Sequence, residues 1–216
     1  MVHIIPKLNH EVALAADIPA AFQKAGIAYT SIDNVNWPEA YPYKPKVEFA
    51  AAHTGDALLL HYRVAEQSVR AVARQDHEHI WEDACVEFFC MPVDDGIYYN
   101  VECNCTGKLI VAAGKDRHER KPAPAEVMQS IDRWASLGQT PFDTRQEQTV
   151  WEVSLRLPIG TFFLHDLDSF DGLEATGNVY KCGDCLPVPH FISWNPIKTE
   201  NPDFHRPEFF GKLKFA

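Results

Sequence analysis

Glu87 and Glu102 are the residues in this sequence most capable of chemistry. Glu87 stands in the run Cys85–Phe89 and Glu102 in Tyr98–Asn104, each a charge inside a segment otherwise suited to burial. Two carboxylates on neighbouring strands serve either of two purposes. Held ~5–5.5 Å apart across a glycosidic bond they make a retaining glycosidase, and at ~6.5–9.5 Å an inverting one; Asp83 with Glu87 is a second such pair. Held in a cleft, they accept hydrogen bonds from sugar hydroxyls. Alternation places Tyr98, Asn100, Glu102 and Asn104 on one face of their strand, and Glu87 on the same face if the strands adjoin. Amides and carboxylates in one row suit vicinal hydroxyls, and an aromatic ring suits the C–H face of a pyranose. The plain alternative is a polar outer sheet face. Trp81, six positions before Glu87, is either a plug at a strand start or an exposed aromatic platform.

Other reactive residues carry less. The six cysteines fall at 85, 90, 103, 105, 182 and 185. Cys103-x-Cys105 with Cys182-x-x-Cys185 is a loose zinc pattern whose first half lies inside a strand, so buried free thiols are expected instead. Cys85, Cys103 and Cys182 are expected to share one core cluster. His77-x-His79 is a poor metal signal. No D-x-D-x-D loop occurs, leaving Asp94 and Asp95 of the VDDG turn as the calcium candidates. The metal content is otherwise unknown from sequence, and no catalytic cofactor is implied. No G-x-S-x-G, Gly-rich phosphate loop or H-E-x-x-H is present.

The elements that must position these groups are strands. Period-two alternation dominates: Leu58, Leu60, Tyr62 and Val64 share a face, as do Trp151, Val153, Leu155 and Leu157, with Leu59, His61, Arg63, Glu152, Ser154 and Arg156 on faces expected to be wet. Residues 46–64 read as a hairpin turning at Thr54-Gly55-Asp56, and 98–113 as another turning at Thr106-Gly107. Further strands are expected in GNVYKC, HFISW and FFGKLKF, a short helix in IPAAFQKAG ending at Gly26, and a turn or two of helix in IGTFFLHDLDSF. The predicted fold class is all-β: an antiparallel two-sheet sandwich, jelly-roll-like, with long loops and little helix, forming one domain over residues 1–216. The core is expected to hold Leu58, Leu60, Tyr62, Phe88, Tyr99, Val101, Trp151, Val153 and Leu155. Residues 115–126 read as an exposed loop whose charges solvate it.

Composition excludes some partners. The 216 residues carry a formal net charge of −10, which opposes nucleic-acid phosphates and anionic membranes alike. No apolar run nears the ~20 residues of a membrane span. Pro6, Lys7, Glu11 and Asp17 interrupt the N-terminal segment, so no signal peptide is visible and a cytoplasmic location is expected, or export if a leader was trimmed.

Taken together, WEDACVEFF, YYNVECNCTGKL, NVYKCGD, PHFISWNPI and PDFHRPEFFGKLKF resemble the family 9-like carbohydrate-binding domains of bacterial polysaccharide-degrading systems, from about Trp37 to Phe215. The resemblance implies a β-sandwich without catalytic role. It also implies a terminal sugar clamped between two tryptophans, structural calcium, and association with glycan-degrading enzymes. Carried onto this chain, the tryptophan preceding a strand glutamate is Trp81 with Glu87, and the late W-N segment is Trp194-Asn195. Trp81 is therefore expected to be a platform. The expected carbohydrate site comprises Trp81, Glu87, Asn100, Glu102, Asn104, Trp194 and Asn195, with a xylan- or cellulose-like ligand. The long polar segment TENPDFHRPEF departs from a simple return strand and is expected to close over or reshape the site. Two rivals remain: a glycosidase using Glu87 and Glu102, and a partner-binding domain that kept the fold and lost the site.

Overall fold

The computed structural model describes residues 1–216. In chain order the strands are β1 (Val2–Ile5), β2 (Thr30–Ser31), β3 (Asn34–Val35), β4 (Lys46–His53), β5 (Ala57–Glu66), β6 (Val69–Ala71), β7 (Cys85–Met91), β8 (Tyr98–Asn104), β9 (Leu109–Gly114), β10 (Lys121–Pro122), β11 (Asp132–Ala135), β12 (Phe142–Arg145), β13 (Thr149–Pro158), β14 (Glu174–Cys182), β15 (Phe191–Ser193) and β16 (Gly211–Phe215). Two short helices, α1 (Ile18–Ala25) and α2 (Ala125–Ser130), complete the set. A larger sheet runs β1-β16-β14-β7-β8-β9-β10, with β15 and β3 added beside β14. A smaller sheet runs β11-β13-β5-β4-β2, and β12 pairs with β6 in a separate ribbon. Every pairing is antiparallel except β1 with β16, a parallel edge pair the sequence did not announce.

The main core lies between the sheets. All nine residues expected there are buried in one apolar cluster, because alternation sends Phe88, Tyr99 and Val101 from the larger sheet toward Leu58, Leu60, Tyr62, Trp151, Val153 and Leu155 from the smaller. Each such side chain contributes about 1.5–3 kcal/mol by leaving water. Both expected hairpins form, β4–β5 and β8–β9. Helix α1 ends where Gly26 takes a left-handed φ of 68°. The expected helix after Ile159 shrinks to one 3₁₀ turn, Ile159–Thr161.

The expectation of a wet face on the smaller sheet is overturned. Leu59, His61 and Ser154 are fully buried. The N-terminal segment lays Leu8, Val12, Ile18 and Phe22 over Ala50, Ala52 and Leu59 as a third apolar layer, and His61 Nδ1 meets Ser154 Oγ at 2.8 Å beneath it. Arg63, Glu152 and Arg156, on the same face, stay partly exposed. A second cover concerns function more directly. The outer face of β14-β7-β8-β9 carries Cys85, Phe89, Tyr98, Tyr180 and Cys182, and chain around Trp37, Ile197 and Phe204 packs onto it.

Candidate carbohydrate site

Pairing register builds the site floor. Glu87 of β7 lies directly opposite Glu102 of β8 and, on its other side, opposite Tyr180 of β14. Asn100 and Glu102 in turn lie opposite Ala112 and Ile110 of β9. These residues open into a cavity of about 300 Å³, at the small end of ligand pockets, ~300–1,000 Å³. Trp81 and Asp184 line it from the loops preceding β7 and following β14, and Pro202–His205 from the chain between β15 and β16. The segment TENPDFHRPEF, expected to close over or reshape the site, contributes these last four residues to the cavity wall.

The loop read as merely solvated does more. Arg117 and Arg120 both line the cavity. Arg120 stacks its guanidinium 4.2 Å from the Tyr98 ring centre and donates to the carbonyls of Tyr98 (2.9 Å) and Ala112 (3.2 Å). Its Nε donates to Asn100 Oδ1 at 2.8 Å, and Asn100 Nδ2 donates to Glu102 Oε1 at 2.8 Å. The amide is thereby fixed in orientation between a cation and a carboxylate. Glu102 Oε2 is buried and has no hydrogen-bond partner.

The electrostatics are those of an unmet need. Burial pushes the Glu102 carboxyl up to about 7, against the pull of Asn100 and Arg120. Glu87 is raised well above the ordinary carboxylate range, first by burial and then by the facing Glu102 charge; the counterweights are the Cys182 thiol, donating at 3.0 Å, and, more weakly, the Arg117 charge. Burial lifts Asp184 to about 6. His205, whose Nδ1 lies 2.9 Å from Tyr98 Oη, is lowered to about 3 by burial and so stands neutral. Arg117 reaches Asp203 at 3.7 Å across the cavity rim.

Of the expected site residues, Trp81, Glu87, Asn100 and Glu102 come together here. Trp81 rides a single 3₁₀ turn anchored by buried Ile80, is 37% exposed, and stacks on His79 with centroids 4.8 Å apart. Its ring is exposed at the cavity and does not plug the core. Trp194 is the reverse. It is 4% exposed and packs edge-on against Phe49 and His3 in the main core. A Cβ at Gly211 would fall 2.6 Å from its ring, so β16 passes it only with glycine there. Asn195 is structural too: its Nδ2 donates to Phe209 O and its Oδ1 accepts from the N-terminus. Asn104 Oδ1 accepts from the Thr106 and Lys108 amides, stapling the β8–β9 turn, and its Nδ2 donates to Asp83. None of these three lines the cavity. Asp83 cannot pair catalytically with Glu87, because it is buried and accepts from Val72 N, Ala73 N, Arg70 and Asn104.

The cysteine and calcium expectations resolve separately. All six thiols are free, and only Cys185 is exposed. The expected shared cluster is split by strand alternation: Cys103 faces the main core while Cys85 and Cys182 lie on the outer face. At the VDDG turn Asp95 Oδ1 accepts from Ile97 N and Oδ2 faces His165. Asp94 borders a cleft shared with Glu174, Lys212 and Lys214, where two lysines offset the two carboxylates and Lys214 already pairs with Glu174 at 3.0 Å.

The sequence signal missed most completely was Arg120, hidden in a charge run. Asp184, two residues beyond Cys182 in KCGDC, was equally silent.

A two-sheet sandwich with a small pocket of carboxylates, an amide, guanidinium and one exposed tryptophan on an outer sheet face defines the class of β-sandwich carbohydrate-binding modules. The sequence profile of carbohydrate-binding family 9 matches residues 16–215, and the chain belongs to that family. A crystal structure from Bacteroides uniformis, of a protein itself proposed to bind carbohydrate, is similar at 45% identity and a TM-score of 0.97, covering 100% of this chain and 99% of that one. Two structures of a family 9 module from Caldicellulosiruptor kristjanssonii, with glucose and with cellotriose, share the fold at TM-scores of 0.59 and 0.58. Their identities are 10% and 11%, over all of this chain and 96% and 93% of theirs. No curated protein matches the sequence.

Proposed function

We propose that the cavity beside Trp81 binds the terminal sugar of a plant-type oligo- or polysaccharide, xylan- or cellulose-like, without cleaving it, in support of polysaccharide breakdown. The observation that carries this reading is the Glu102 carboxylate: one oxygen held by Asn100, the other buried and unpartnered in a cavity of sugar size. A buried acceptor left unmade costs about 1–3 kcal/mol, and a ligand hydroxyl repays it. Trp81 supplies flat apolar area for one pyranose face, and Phe191 and Phe204 supply the other aromatic lining. Binding rather than hydrolysis is supported by the origin of Glu87 and Glu102. They rise side by side from one floor, whereas glycosidase carboxylates flank the scissile bond.

The test is calorimetry against xylo-, cello- and galacto-oligosaccharides, with release of reducing ends followed in parallel. Saturable binding by the native protein, lost in Trp81→Ala and without sugar release, is expected. Absence of binding to any sugar overturns the reading, as does affinity indifferent to Trp81→Ala. Release that stops in Glu102→Gln would replace it with the hydrolase.

A further inference from the structure

We propose that Cys85, Glu87 and Cys182 hold one thiophilic divalent cation, of the zinc type, at the floor of the cavity. Cys85 and Glu87 are two apart on β7 and so share its outer face. Cys182 of β14 lies directly opposite Cys85. The two sulfurs and a Glu87 oxygen all lie within 4.8 Å of one another, the only such group of three in the protein. In a tetrahedral zinc site, with Zn–S near 2.3 Å and Zn–O near 2.0–2.2 Å, the ligand atoms stand roughly 3.5–3.8 Å apart. The Cys182 Sγ to Glu87 Oε1 separation is already 3.0 Å, so small side-chain adjustments suffice.

Charge and access both favour occupancy. Glu87 and Glu102 face each other in a buried setting, and Arg120, beside Asn100, is already committed to that amide and to carbonyls. A cation on Glu87 relieves that opposition. Thiolate ligands select zinc, cadmium or copper(I) over calcium and magnesium. Glu87 and Cys182 line the cavity, so a cation has an entry route and water from the cavity can supply a fourth ligand. Binding displaces both thiol protons, and the Glu87 proton where it is held, into solvent. The remaining buried thiols have no such partners: Cys90, Cys103 and Cys105 belong to the apolar inner face. This site stands independently of the sugar reading.

The experiment titrates the fully reduced protein with cadmium as a zinc probe and follows the ultraviolet cadmium–thiolate absorption, with native mass spectrometry for stoichiometry. One equivalent is expected, displaced by zinc and unaffected by calcium. Cys85→Ser, Cys182→Ser and Glu87→Gln are each expected to weaken binding more than tenfold, while Cys185→Ser leaves it unchanged. Circular dichroism identifies any serine variant that fails to fold, in which case Glu87→Gln, isosteric and without loss of a thiol, decides. The proposal is overturned if the native fold gives no cadmium band. It is equally overturned if the band survives Glu87→Gln and Cys182→Ser but vanishes in Cys185→Ser, which marks an adventitious surface thiol, or if thiol counting shows Cys85 and Cys182 joined as a disulfide.

Discussion

Strand β14 sends two consecutive side chains into two buried polar clusters that follow opposite rules. Lys181 points inward, where its ammonium lies 3.0 Å from Glu66 and donates to His190 Nε2 at 2.8 Å, while Glu66 Oε1 accepts from Trp151 Nε1 at 2.7 Å. His190 is held well below its usual range by burial and by Lys181, and so stands neutral as an acceptor. Cys182 points outward to Glu87, which faces Glu102. The inner cluster pairs opposite charges and is sealed between the sheets. The outer one sets like groups against each other and opens on a cavity; Glu102 Oε2 there is unpartnered, whereas Glu66 Oε2, also without a hydrogen bond, has the Lys181 ammonium 3.0 Å away. Burial alone therefore does not separate structural from functional polar groups; satisfaction of charge does.

The sharpest way to break this comparison is to remove one charge from the inner cluster. Lys181→Met leaves Glu66 buried and unpaired, and is expected to lower unfolding free energy by about 3–5 kcal/mol in urea denaturation. Adding Glu66→Gln should recover a large part of that loss. A Lys181→Met protein of unchanged stability would mean that the inner pair is not the structural partner of the contrast.

The two tryptophans repeat the comparison at nearly the same scale. Trp194→Ala empties a core position and is expected to lose about 3–5 kcal/mol. Trp81→Ala, at an exposed platform, should change the melting temperature little while removing most sugar affinity. Equal stability losses in the two variants would sink the distinction.

How much of this was legible in the sequence follows the range of the interactions. Alternation within β8 separated Tyr99, Val101 and Cys103 from Tyr98, Asn100 and Glu102, and the structure keeps that division, because side-chain direction along a strand is local. The adjacency of Glu87 and Glu102 was readable because a short connection joins β7 to β8. The covered faces were not readable. Leu59 and His61 look wet until chain from residues 8–22 lies over them, and Arg120 looks solvated until its loop turns back onto Tyr98. Trp194 misled for a related reason. A two-residue W-N motif says nothing about which way the ring points, and here it packs against Phe49, a strand from the other sheet.

The outer cluster should also reveal itself through pH. The Glu102 carboxyl is raised in the folded protein from 4.5 to about 7, so folding favours its protonated form. Its contribution to stability is complete below about pH 4.5 and is lost as pH rises through about 7. Glu87, raised in the same direction, adds to this. Native protein should therefore lose stability between those values, and Glu102→Gln should flatten the curve. Chemical denaturation at a series of pH values measures it. A native curve that rises over this interval, or one that Glu102→Gln leaves unaltered, would show that the carboxylates are better satisfied than their geometry implies.

The smallest effect belongs at the rim. Arg117 and Asp203 are 3.7 Å apart, with the Arg117 side chain 58% exposed. An exposed ion pair of this kind contributes about 0–1 kcal/mol, diminished further by salt. Arg117→Gln is therefore expected to leave unfolding almost unchanged. Its consequence for the ligand differs, because the pair ties the 115–120 loop to the return segment that carries Phe204 and His205 over the cavity. Loosening that tie should shorten the lifetime of a bound sugar by a few-fold, with the native lifetime approaching the variant's as salt is raised. Dissociation rates at low and high ionic strength measure this. If Arg117→Gln changes the lifetime equally at both, the residue acts by direct contact with the sugar and not by holding the segment closed.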